Sequence, residues 1–255
     1  MKTAIIIPSR YASQRLPQKA LHPIRGKTLI ERVYERAAKA IGIDAVYIAT
    51  DHEEIAGHVR EFGAGVIMTD PALPSGTDRV AAAANTLGPE FDVIINVQGD
   101  EPLVSPEVIE ALARTMRSTT SVVVATPIKE ITNAADLTNP NVVKVVLNTW
   151  GNALYFSRSC IPYLRDYALA TPSELLTHHR FWKHIGLYAY RRPALEQFSA
   201  LQESSLERAE RLEQLRLLEA GIAIRCVEVE YESVAVDTIH DVYSVEAILE
   251  REGLD

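Results

Sequence analysis

Three cations and two serines crowd the loop Pro8-Ser9-Arg10-Tyr11-Ala12-Ser13-Gln14-Arg15-Leu16-Pro17-Gln18-Lys19, directly after the aliphatic run Ala4-Ile5-Ile6-Ile7. Guanidinium groups present a planar fork of donors and an ammonium adds a compact charge. Arg10, Arg15 and Lys19 together therefore suit a polyanion such as a triphosphate. Basic runs are usually just solvated faces. That explanation weakens here, because prolines stiffen the loop and a buried run precedes it. A second chemical cluster ends another apolar run: Asn96-Val97-Gln98-Gly99-Asp100-Glu101-Pro102. A carboxylate facing a triphosphate pocket suits Mg²⁺, which takes few protein oxygens and shares the rest of its shell with phosphate and water. Asp237 follows Val234-Ala235-Val236, and acids at the ends of different strands can meet over one ion. Taken alone, a polar turn accounts for Asp100 equally.

Two weaker loops complete the set. In Ala49-Thr50-Asp51-His52, a helix-capping role explains Asp51 fully. In Pro74-Ser75-Gly76-Thr77-Asp78-Arg79, a small turn at a helix start can bring backbone N–H groups to a ligand, with Arg79 as a further cation. An ordinary helix N-terminus explains that turn as well.

Alternating strands and helices must position these loops. Strands are expected at 4–7, 45–49, 65–68 and 92–97, with helices between them and another at 105–117. This rhythm predicts a doubly wound, mostly parallel α/β sheet, Rossmann-like, with ligands at the carboxyl ends of the strands. After about residue 121 the rhythm changes. Strands are expected at 121–128, 142–147, 153–157 and 185–190, the second and third joined by the 148–152 turn into a hairpin. A long loop with a short helix is read at 162–181, one amphipathic helix at 204–220 closed by Gly221, late strands at 224–229 and 234–236, and a terminal helix at 241–251. In the 204–220 helix, Leu206, Leu212, Leu215 and Leu218 form the expected buried stripe.

The 255 residues fit one large domain or one domain with a sizeable insertion. A net charge of -8 argues against general nucleic-acid affinity. No apolar run is long enough to span a bilayer and no charged leader precedes the first strand, so the expected compartment is the cytoplasm. Cys160 and Cys226 have no metal-ligand spacing and read as buried, inert thiols.

The segments PSRYASQRLPQKAL, ATDHEEI, PSGTDR, INVQGDEPL, NPNVVKVV, NALYFSRSCIP, KHIGLYAYRR, ERLEQLRLLEAG and VAVDTIHDV occur in this order. Together they resemble the 3-deoxy-manno-octulosonate (Kdo) cytidylyltransferase family, with INVQGDEP and the LEQLR helix most specific. The resemblance implies a nucleotide-diphospho-sugar transferase-like fold, and a magnesium-dependent homodimeric enzyme converting CTP and Kdo to CMP-Kdo and diphosphate for lipopolysaccharide synthesis. It implies that Arg10, Ser13, Arg15 and Lys19 hold the triphosphate, Arg15 and Lys19 acting catalytically. Ser75, Gly76 and Arg79 would lie at the nucleotide with Thr50 and Asp51 nearby, and Asp100 and Asp237 would bind magnesium. Gln98, Arg158, His184, Tyr188, Glu213 and Gln214 would surround the sugar, His184 and Tyr188 sharing one strand face as i and i+4. Residues 148–190 would form a dimerisation and sugar-pocket insertion within a single 1–255 domain.

The chain departs from the family where Gln18 replaces a glycine, Ala20 a proline, and Thr238-Ile239-His240-Asp241 a Thr-Pro-Glu-Asp run. The segment 163–183 is longer than usual. Competing readings are transfer to another acidic sugar such as 8-amino-Kdo, or a non-catalytic nucleotide-binding module on the same fold. Intact Lys19, Asp100 and Asp237 speak against the latter.

Overall fold

The protein is described from a computed structural model, over residues 2–13 and 15–253. Twelve strands are β1 (Lys2–Ser9), β2 (Pro23–Ile24), β3 (Lys27–Thr28), β4 (Ala45–Thr50), β5 (Gly65–Met68), β6 (Phe91–Asn96), β7 (Val124–Glu130), β8 (Lys144–Leu147), β9 (Ala153–Ser157), β10 (Trp182–His184), β11 (Tyr188–Arg191) and β12 (Ile224–Glu228). β2 and β3 form a separate hairpin, and the other ten make one sheet. Its first half, in the order β5-β4-β1-β6, is parallel throughout. There the chain alternates strand and helix as expected, with helices Leu29–Ala37, Glu53–Glu61, Gly76–Ala84 and Pro106–Ser118. β1 shows why its sequence is aliphatic without interruption. Ile5 and Ile7 enter one core layer, and Ala4 and Ile6 enter the other. A strand covered on both faces loses the polar half of its alternation.

The second half is mixed. β11 runs antiparallel between β6 and β7, while β12 pairs parallel with β7. β8 and β9 form the predicted hairpin, and β10 pairs antiparallel with β7 and β8. The strand expected at 185–190 begins only at Tyr188, because β10 and β11 meet β7 in different registers. His184 stands opposite Ile128, but Ala189 stands opposite Ala125. Five steps on one side match three on the other, a two-residue bulge. His184 and Tyr188 therefore flank a bulge and do not share one regular strand.

Three other expectations change. The 204–220 helix is broken into Ser205–Glu210 and Leu215–Glu219, with Arg211 in the left-handed region at φ 54. Its stripe shifts accordingly: Leu206 is exposed, whereas Leu212, Leu215 and Leu217 are buried. Residues 234–236 form no strand among the described residues. Cys160 lies in a loop, half-buried, while Cys226 is buried in β12. The 162–181 loop holds a 3-10 turn, Arg165–Tyr167, and a helix, Pro172–His178, closed by a Thr171–Glu174 capping box. The terminal helix, Ile239–Glu252, starts with a capping box between Thr238 and Asp241, so the missing proline leaves its start well formed.

Candidate active site

The loops after β1 and β6 meet because a glycine lets them. A Cβ on Gly99 would stand 2.5 Å from the Pro8 carbonyl oxygen, so no other residue fits without moving backbone. Between these loops opens a cleft of about 680 Å³ lined by Arg10, Ser13, Arg15, Lys19, Gly76, Gln98, Asp100, Glu213 and Asp237, together with Pro8, Ser9, Ala12, Ala20 and Gly99. Nine candidate residues thus converge in one place.

Lys19 is the centre of this site. Its Nζ donates to Asp100 Oδ2 at 2.8 Å and to Asp237 Oδ1 at 3.0 Å. Arg15 lies 3.0 Å from the other oxygen of Asp237. Burial alone would lower the lysine pKa. The two carboxylates outweigh it and hold the ammonium above its usual range. Asp237 reaches this point although it is far away in sequence. The Val236 N–H donates to the Asp100 carbonyl at 2.8 Å, and Tyr231 Oη donates to the buried Glu101 carboxyl at 3.3 Å. Burial in that apolar setting pushes Glu101 up to about 7.

The two acids fit a divalent cation. Two carboxylate oxygens already share one cationic group at ordinary contact distance, and both side chains keep about a third of their surface open. No cluster of three or more metal-ligating side chains occurs among the described residues. A two-oxygen site completed by phosphate and water suits a hard divalent cation rather than a structural metal.

The departure at position 18 leaves its mark on the first loop. Gln18 adopts φ 52, the left-handed conformation that glycine takes easily. Its amide donates to the Tyr11 hydroxyl, and the Tyr11 ring stacks on His52 at 3.7 Å. Lys19 thereby keeps its place without the glycine.

Other candidates stand behind the cleft. Asp51 does not cap the following helix. His52 does so, its Nδ1 accepting from the Glu54 N–H. Asp51 instead accepts from the Tyr11 N–H at 3.1 Å and pairs with Arg79 at 2.9 Å. Arg79 is fully buried, so it braces the second loop from within and does not reach the cleft lining; burial lowers its pKa and Asp51 resists this. Thr50 is likewise fully buried. Ser75 is the N-cap of Gly76–Ala84 and opens on a neighbouring cavity of about 580 Å³ that shares the Glu213 wall.

The sugar candidates form a second tier. Gln98 lines the cleft and contacts Asn96. Glu213 accepts from Thr77 Oγ1 at 2.9 Å, and enclosure of its carboxyl raises its pKa. Arg158 points elsewhere. Its guanidinium donates to the carbonyls of Glu210, Pro140 and Arg211, clamping the helix break, and it forms no part of the cleft wall. The His184 and Tyr188 rings lie 5.3 Å apart, and Tyr188 stacks on Tyr190 at 5.7 Å. The Tyr188 hydroxyl and Gln214 Nε2 are buried without a hydrogen bond among the described residues. Sequence reasoning passed over Thr77, the partner of Glu213. Its only signal was its place inside PSGTDR.

Comparison with known proteins assigns the chain to a family. The cytidylyltransferase family model matches residues 4–225, so the chain belongs to the cytidylyltransferases. A 3-deoxy-manno-octulosonate cytidylyltransferase of Cytophaga hutchinsonii is 48% identical over 94% of both chains. One of Geotalea uraniireducens is 46% identical over 98% of this chain and 99% of that one. Within the cytidylyltransferases, the chain is a member of the 3-deoxy-manno-octulosonate cytidylyltransferase family. A solved structure of CMP:2-keto-3-deoxy-manno-octonic acid synthetase complexed with CTP superposes with a TM-score of 0.91 at 44% identity, covering 99% of this chain and 100% of that one. A cytidylyltransferase structure from Leptospira borgpetersenii, 16% identical at a TM-score of 0.64, shares the fold.

Proposed function

We propose that the chain transfers the cytidylyl group of CTP to Kdo, forming CMP-Kdo and diphosphate. The observation that supports this most is the convergence of Arg15 and Lys19 with Asp100 and Asp237 in one cleft. The anomeric hydroxyl oxygen of the sugar attacks the α-phosphorus. The bond to the bridging oxygen breaks in line, diphosphate leaves, and the hydroxyl proton passes to water. Positioning and charge stabilisation dominate such transfers. Arg10 and Ser13 orient the triphosphate, and Arg15 and Lys19 neutralise the charge gathering on diphosphate. Asp100 and Asp237 would hold magnesium, which when bound supplies positive charge to the α-phosphate and the attacking hydroxyl. Gln98, Glu213, His184, Tyr188 and Gln214 form the acceptor wall, and Arg158 joins it only by releasing the carbonyls it holds.

The chain works as a homodimer through its 148–190 insertion, in the cytoplasm, where nucleoside triphosphates are available, and its product feeds lipopolysaccharide assembly. Trp150, Leu154 and Leu169 in that insertion expose 74%, 60% and 101% of their surface, which favours a covered face. Diphosphate release with CTP, magnesium and a panel of acceptors tests the reading. Turnover with Kdo supports it. Turnover with 8-amino-Kdo alone, or with none of the acidic sugars, replaces it.

A further inference from the structure

Thr126 lies in β7 opposite the bulge between β10 and β11, and it is fully buried. Its Oγ1 is 2.8 Å from the Leu187 carbonyl oxygen, 3.2 Å from the Ile185 carbonyl oxygen and 3.0 Å from His184 Nε2. One hydroxyl carries one proton. Carbonyl oxygens only accept, so that proton serves them, and the bulge is pinned from the neighbouring strand. The imidazole nitrogen facing the same oxygen must then bring its own proton. Burial pushes His184 down to about 3, so the ring is neutral near pH 7 and holds one proton. With that proton on Nε2, Nδ1 carries a lone pair. Nδ1 makes no hydrogen bond among the described residues.

The ring of His184 belongs to an aromatic row. His184 faces Tyr188 and Tyr188 faces Tyr190, while Glu213, a cleft residue, accepts from Thr77 Oγ1.

We infer that Thr126 is a positioning residue that fixes the Nε2–H tautomer of His184 and so presents Nδ1 as an acceptor for a hydroxyl of the sugar substrate. This rests on His184 belonging to the acceptor pocket. The arrangement selects a donor at that position, so replacing the contacted hydroxyl by a methyl ether weakens binding.

The test combines ¹⁵N-histidine NMR with separate kinetics for CTP and Kdo in wild type, Thr126→Ser, Thr126→Val, His184→Asn and His184→Leu. Wild type and Thr126→Ser are expected to show a protonated Nε2 and a bare Nδ1. Thr126→Val is expected to populate both tautomers and raise the Kdo KM roughly tenfold, about one hydrogen bond, while the CTP KM stays within about twofold. His184→Asn keeps an acceptor near the Nδ1 position and is expected to retain Kdo binding better than His184→Leu. An Nδ1–H tautomer in wild type overturns the inference, whether or not the valine variant folds. So does a Thr126→Val enzyme with unchanged tautomer or unchanged Kdo KM. A wild-type protein with a bare Nδ1 that turns over no acidic sugar removes the acceptor role and the functional reading with it, leaving only the tautomer assignment.

Discussion

Single side chains divide into those that touch the cleft and those that hold the touching ones in place. Asp100→Ala or Asp237→Ala should lower kcat by about 10²–10³-fold or more while circular dichroism stays native, since each removes preorganised charge from an open site; normal turnover would refute the metal assignment. Arg79→Ala should behave differently. It removes the counter-ion of Asp51 and leaves a buried void, and urea unfolding should register a loss of about 3–5 kcal/mol. Glu101 gives a pH signature. Its carboxyl titrates at about 7 in the folded state and at 4.5 when unfolded. Between those values the native state holds the extra proton, so stability falls as pH rises from 4.5 through 7 and then levels off. Glu101→Gln should flatten that slope, with a difference of roughly 3 kcal/mol above pH 7. The cations and acids of the cleft were legible in sequence because each ends an apolar run. The partners of Arg79 and Arg158 were not legible, because residue type says nothing about whether a guanidinium meets a ligand, a buried carboxylate or a row of carbonyls.

At the level of elements, the parallel half was legible almost residue by residue, because strands covered on both faces leave an unbroken aliphatic signal. The helix break at Arg211 was not, since the leucine spacing of 204–220 continues across it and only a tertiary clamp, Arg158 on three carbonyls, interrupts it. Arg211→Gly should relieve the left-handed strain and raise stability by up to about 1 kcal/mol, measured by urea midpoint. Gly99→Ala should do the opposite, costing about 1–3 kcal/mol by forcing apart the β1 and β6 loops, with turnover falling as Asp100 shifts. The β10–β11 bulge was equally hidden, because a register slip leaves no mark in one strand's own pattern. The strand expected at 234–236 failed because that segment crosses the loop after β6 and spends its Val236 N–H on Asp100.

For the whole molecule, the exposed apolar residues Trp150, Leu154 and Leu169 make oligomeric state a direct measurement. Light scattering should give a dimer, and Trp150→Glu with Leu154→Glu should shift it to monomer. The mixed half of the sheet follows a change near residue 121, where strand and helix cease to alternate, and that change was visible. The sheet's mixed second half was not, because antiparallel insertion strands pair with partners distant in sequence.

One feature of the resting cleft reaches further. An ammonium wedged between two carboxylates is a plug, and the acids are already neutralised before any substrate arrives. A divalent ion alone has to evict a covalently tethered rival. A polyphosphate would draw the lysine to itself and uncover the acids in the same movement. Under the proposed function, order of arrival would then be built into the charges, the nucleotide opening the seat for its counterion.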